Sequence, residues 1–156
     1  MDIRIRPHTL SGAVTPPPSK SMAHRLLLAA ALADGVSTIE NVALSQDIEA
    51  TLHCMEALGA KWEQTVDGTL CVTGIGGRRK SFTELPRFDC GESGSTLRFL
   101  IPIALAVAGG GVFTGRGRLM ERPQKPYLDL FDEKGIFYEQ KDGTLTVRGV
   151  LTPGEY

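Results

Sequence analysis

"ALGAKWEQTVDGTLCVTG" (57–74) lines up with "EKGIFYEQKDGTLTVRG" (133–149). Gly59 answers Gly135, Glu63-Gln64 answers Glu139-Gln140, and Asp67-Gly68-Thr69-Leu70 answers Asp142-Gly143-Thr144-Leu145. Similarity at one offset, about 75 residues here, is the mark of a duplicated structural unit. Upstream, "GVSTIENV" (35–42) precedes "GGVFTGRG" (110–117) at nearly the same spacing, and Leu52 and Leu128 fall inside two second helices. "SKSMAHRLLLAAA" (19–31) matches "SGSTLRFLIPIA" (93–104) in layout: small hydroxyl residues, then Arg25 or Arg98, then an apolar helix. Four matches in one order predict an α/β (α+β) fold of two βαβαββ-like repeats, each covering a mixed sheet with helices.

Each unit reads helix, strand, helix, hairpin. The first helix is expected at 21–33, with Ser21 as N-cap and Gly35 beyond its end. A strand at 36–42 follows, then a helix starting near Ser45 or Asp47 with Ile48, Leu52, Met55 and Leu58 on one face. Strand 60–66 turns at Asp67-Gly68, a two-residue hairpin signal, into 69–73. The second unit repeats this with helix 95–108, strand 111–115, helix 125–134 opened by Pro126, and a hairpin through Asp142-Gly143. Pro102 sits inside the third helix and should kink it or shift its start. Strands at 3–5 and 86–90 should add sheet edges, and basic "GIGGRRKSF" (74–82) reads as a solvated loop.

The totals narrow the function. A chain of 156 residues can bury a sizeable core, and a net charge of −1 argues against a general nucleic-acid binder. Cys54, Cys71 and Cys90 are odd in number and lack a CxxC spacing, so they read as buried or half-buried thiols of a reducing compartment. His53 and Cys54 are helix neighbours facing different ways, which discounts them as a metal site. The N-terminus lacks the pattern of a signal peptide, and the longest apolar run, "FLIPIALAVAGGG", is interrupted by Pro102. A cytoplasmic protein without membrane contact is expected.

Chemistry gathers at the helix mouths. A helix N-terminus leaves backbone N–H groups unpaired and carries partial positive charge. Lys20, the hydroxyls of Ser19 and Ser21, and Arg25 one turn later build an anion site there. The second unit supplies Ser93, Gly94, Ser95 and Arg98 in the same layout. A third basic cluster, "GRGRLMERPQKP" (115–126), crowds Arg116, Arg118, Arg122 and Lys125 together. Arginine suits bidentate recognition of phosphate and carboxylate. Glu92 places a carboxylate beside the second site, where it would repel a phosphate unless paired with Arg98 or Arg122. Together these loops predict a site for small molecules bearing several negative charges.

At "PPSKSMAHRLLLAAALADG", "SQDIEATLHCMEALGA", "DCGESGSTLRFL" and "GRGRLMERPQKPYLDLF" the chain resembles the 5-enolpyruvylshikimate-3-phosphate (EPSP) synthase family over nearly its whole length. Ser-Lys-Ser in the first motif separates it from the related UDP-N-acetylglucosamine enolpyruvyl transferases, which carry Asn-Lys-Asn there. The resemblance implies transfer of the enolpyruvyl group of phosphoenolpyruvate to the 5-hydroxyl of shikimate 3-phosphate, through a tetrahedral intermediate and with no metal or organic cofactor. It implies that Lys20 touches both substrates and that Ser21 and Arg25 hold shikimate 3-phosphate. It also implies that Gly94 and Arg122 contact phosphoenolpyruvate, with Asp47, Ser95 and Arg98 in support and glyphosate as a candidate ligand.

Glu92 stands where the family commonly has asparagine, and Phe99 where proline is frequent. The family has two domains of three such units each; this chain carries two units, at 16–84 and 85–156. Residues 1–15 correspond to a strand segment of the family's other domain. An N-terminal part holding half of the substrate site, inactive alone and completed by the missing C-terminal part, is therefore expected. Self-association through the face left uncovered is expected as well. The alternative is a stand-alone, non-catalytic binding or structural module of the same fold.

Overall fold

The computed structural model describes residues 3–4, 6–7, 9, 11–77, 81–151 and 154. Helix starts follow local chemistry. Pro16–Pro18 hold the chain out of a helix, and Ser19 then caps α1 (Lys20–Leu32) by accepting from the Met22 N–H at 3.3 Å. The cap is thus Ser19 rather than Ser21, and Ser21 keeps its hydroxyl for Arg25. Ser45 caps α2 (Gln46–Ala57), and Ser93 caps α3 (Gly94–Ala108). Gly109 and Gly135 end α3 and α4 (Lys125–Lys134) in the left-handed conformation, at φ +73° and +65°.

The first sheet joins β1 (Val36–Ile39), β2 (Lys61–Gln64) and β3 (Leu70–Thr73) in the order β1-β3-β2, all antiparallel. The second joins β4 (Arg87–Asp89), β5 (Gly110–Thr114), β6 (Phe137–Lys141) and β7 (Thr144–Arg148) in the order β4-β5-β7-β6. Only β4 and β5 run parallel, so one of the two sheets is mixed and the other is not. Strand β1 stops short of the expected residue 42, and Asn41 at φ +56° breaks the extended run. Of the expected strand at 3–5, Ile3 and Arg4 lie in no strand and residue 5 is outside the described residues. The basic triplet at 78–80 also lies outside them.

The two Asp-Gly turns differ. Lys141 pairs with Thr144 across Asp142-Gly143, and both turn residues take positive φ, as a two-residue hairpin of this twist requires. In the first unit pairing ends at Gln64 and Leu70, so residues 65–69 form a wider loop. Thr65 closes that loop, its N–H and hydroxyl both reaching the Thr69 carbonyl, while Asp67 accepts from the Thr69 N–H. A second local hydrogen-bond scheme outcompetes the tight turn.

Pro102 lies inside α3 without ending it. It has no N–H to give the carbonyl four residues back, that of Arg98. The Tyr127 hydroxyl of α4 donates to that carbonyl at 2.7 Å instead. One helix thereby repairs the other. The helices and sheets share one core, with Ile48, Leu52 and Met55 fully buried as their spacing predicts, alongside Leu27, Leu70, Phe88, Leu100, Phe113 and Leu145. Each such side chain contributes about 1.5–3 kcal/mol on burial. Phe88 and Phe113, partners across β4 and β5, stack at 4.9 Å between ring centres. No helix among the described residues is long and apolar enough to cross a membrane.

Candidate anion site at the helix mouths

Helices α1, α2 and α3 pack against one another, and their first turns carry most of the residues singled out above. The Lys20 ammonium donates to Asp47 Oδ2 on α2 at 2.6 Å. Lys20 remains 57% exposed, so its ammonium keeps protons for a further acceptor. Arg25 folds back along α1, donating to the Ser21 carbonyl at 2.9 Å and to the Ser21 hydroxyl. Its guanidinium lies 5.1 Å from the centre of the Phe99 ring on α3. Phe99 of α3 therefore supports the arginine of α1 through its π-face.

Gly94 and Arg122 meet. A Cβ built on Gly94 would sit 3.0 Å from Arg122 Nη1, so the guanidinium rests against the bare backbone at the mouth of α3. Of the four cations in the third cluster, Arg116 pairs with Asp89 at 3.1 Å, Arg118 with Glu121 at 3.2 Å and Lys125 with Asp129 at 2.7 Å. Arg122 forms no ion pair among the described residues, and it is the cation that reaches the helix mouth. Arg98 donates weakly to Gln124 Oε1 at 3.5 Å, and Ser95 is exposed on the first turn of α3. Glu92 pairs with neither Arg98 nor Arg122; its carboxylate lies over Gly117, where an added Cβ would meet it at 3.0 Å.

Asp89 shapes the neighbouring turn. The Gly91 N–H and then the Arg116 guanidinium hold its carboxyl below the usual carboxylate range. Cys54 and Cys90 are buried free thiols and Cys71 is half-buried. Contact with Cys90 and burial push the Cys54 thiol up, which disfavours the nucleophilic thiolate. The clefts are uneven: a shallow one of about 80 Å³ at the α1 and α2 mouths is lined by Ser19, Lys20 and Ser45. A larger one of about 460 Å³, lined by Phe82, Glu84, Arg87 and Arg148, contains none of the predicted residues. Lys20 and the N-termini of α1 and α2 thus meet at the small cleft and not at the large one.

A profile described as EPSP synthase (3-phosphoshikimate 1-carboxyvinyltransferase) matches residues 5–152. The chain belongs to the EPSP synthase family. A 3-phosphoshikimate 1-carboxyvinyltransferase of Clostridium beijerinckii is 48% identical over 161 aligned positions, covering 99% of this chain and 37% of that protein. One of Clostridium novyi is 44% identical with the same coverage. A solved EPSP synthase from Acinetobacter baumannii superposes with a TM-score of 0.73 at 25% identity, over 88% of this chain and 32% of that one. The chain thus spans little more than a third of the relatives it matches.

His24, Thr51 and Thr96 escaped the sequence reading, which names only their partner Ser93. His24, Thr51, Ser93 and Thr96, each at most 1% exposed, form a polar cluster beneath the mouths. His24 Nδ1 is 2.8 Å from Thr51 Oγ1, which is 2.7 Å from Thr96 Oγ1, which is 2.7 Å from Ser93 Oγ. Both threonine hydroxyls also face the Asp47 carbonyl, at 3.2 and 3.4 Å. The available signal was polarity: these residues interrupt otherwise apolar helix faces.

Proposed function

We propose that this chain forms one half of the substrate site of a 3-phosphoshikimate 1-carboxyvinyltransferase, with units at 16–84 and 85–156. Lys20 contacts both substrates; Ser21 and Arg25 bind shikimate 3-phosphate; Gly94 and Arg122 bind phosphoenolpyruvate, the site that glyphosate would contest. Asp47, Ser95 and Arg98 support them. The observation that carries this reading is convergence: separate motifs bring unsaturated cations and three helix N-termini together.

The chemistry follows from charge. Both substrates are anions that repel one another, and the 5-hydroxyl must approach C2 of phosphoenolpyruvate. Helix-mouth N–H groups and the cations of Lys20, Arg25 and Arg122 offset that repulsion and hold the reactants in line. The Lys20–Asp47 pair keeps the ammonium in one place before substrate arrives. Addition of the hydroxyl to C2, with a proton to C3, gives the tetrahedral intermediate; loss of phosphate and of a C3 proton then restores the enol ether. None of the clustered groups described above is a general acid or base assigned to those proton transfers. On this reading the 156 residues alone bind substrate and do not turn it over.

Titration of shikimate 3-phosphate by calorimetry tests the site. Binding is expected to the unmodified chain and to be lost in Arg25→Ala; equal binding by both would refute the assignment. In a continuous phosphate-release assay with both substrates the chain should show no turnover, and measurable turnover would refute the half-site reading.

A further inference from the structure

The hydroxyl cluster has a proton count that can be solved. His24 Nδ1, Thr51, Thr96 and Ser93 form a chain of three short contacts, and each contact needs one proton. His24 Nε2 is buried and has no partner among the described residues. Suppose Nε2 carried the proton. Nδ1 would then accept from Thr51, Thr51 from Thr96 and Thr96 from Ser93, against the direction of the last bond, in which Thr96 donates to Ser93, and a buried N–H donor would be left unpaired. An unpaired buried donor is among the least tolerated defects of a folded protein. Suppose instead that Nδ1 carries it. Nδ1–H donates to Thr51, Thr51 to Thr96 and Thr96 to Ser93; Nε2 keeps an idle lone pair, and the remaining proton sits on the Ser93 hydroxyl, which can turn about its Cβ–Oγ bond as a ring N–H cannot.

We propose that His24, as its neutral Nδ1–H tautomer, heads a one-way hydroxyl chain through Thr51 and Thr96 to Ser93, and that this chain sets the mutual register of the three helix mouths. The first two links join different helices, and the third closes the cap of α3. His24 sits on the turn of α1 that bears Arg25, Thr51 lies one turn behind Asp47 on α2, and Thr96 and its partner Ser93 form the cap of α3 beside Gly94. The Asp47 carbonyl, faced by both threonines, fixes the turn that carries the partner of Lys20. Burial, the larger influence, pushes the His24 imidazole below its ordinary value, consistent with a neutral ring. These four are positioning residues: they touch the site through Lys20, Asp47 and Gly94. Their consequence for substrate rests on the proposed function; the tautomer and the register do not.

The test begins without ligand. Long-range ¹H–¹⁵N correlation on histidine-labelled chain, with His24 assigned by its absence in His24→Asn, should show Nδ1 protonated and Nε2 bare. The opposite pattern overturns the proposal, whatever any variant does. Thr51→Val should move the backbone amides of Lys20 and Gly94 as well as those of α2, and Thr51→Ser should restore them; a disturbance confined to α2 overturns the register. Shikimate 3-phosphate should then bind Thr51→Val at least about fivefold more weakly and Thr51→Ser normally. If the unmodified chain binds no shikimate 3-phosphate, the proposed function fails while the tautomer and amide results still decide the chain.

Discussion

Replacing Tyr127 with phenylalanine removes one oxygen, and the structure says what that oxygen does. Pro102 cannot donate to the Arg98 carbonyl, and Tyr127 supplies the missing bond at 2.7 Å. The bond lies near the surface, so water can replace part of it, and the loss should be about 1 kcal/mol. For a chain of this size that is a fall in Tm of roughly 2–4 °C. A double-mutant cycle makes the argument strict. Pro102→Ala restores an N–H four residues after Arg98, so in that background Tyr127→Phe should cost clearly less. The assay is urea denaturation of all four proteins, with the coupling taken from their midpoints. Additive effects would show that Tyr127 does not serve the carbonyl freed by Pro102. The result bears on function as well, because this bond ties the Arg122–Gln124 segment, through α4, to the first turns of α3.

Gly94→Ala would bring a methyl to within 3.0 Å of Arg122 Nη1. Alanine favours the helix, so Tm should hold or rise, while phosphoenolpyruvate affinity, measured by calorimetry with shikimate 3-phosphate present, should fall; unchanged affinity would separate Arg122 from that substrate. His24 gives a pH dependence. Burial lowers its folded value, against the opposing pull of Asp47 and aided by Lys20 and Arg25. The unfolded imidazole binds its proton more tightly, so stability should be full above about 6.5 and decline as pH falls, levelling once the folded value is passed. Tm measured from pH 8 to 5 should show that decline, and His24→Asn should flatten it.

The fold was legible where the code is local and repeated. Helices at Ser45 and Pro126 began near where caps and proline placed them, and the face of Ile48, Leu52 and Met55 went to the core. Two readings failed because competing local bonds cannot be weighed from residue types alone. Ser19 and Ser21 are equally good caps on paper, and the proline run decided for Ser19. Asp67-Gly68 and Asp142-Gly143 are the same dipeptide, and the Thr65 hydroxyl opened only the first turn. The site divides in the same way. Motifs exposed Lys20, Arg25, Gly94 and Arg122, but four cations in the third cluster looked alike until three of them found carboxylates. The hydroxyl chain lies deepest in tertiary structure, since Thr51 and Thr96 sit 45 residues apart and meet only when two helices pack. What a helix mouth offers to a ligand can be read from its first turn. What joins the three mouths to one another is a set of buried polar residues between them, and those are the positions where an apolar helix face carries an unexplained hydroxyl or imidazole.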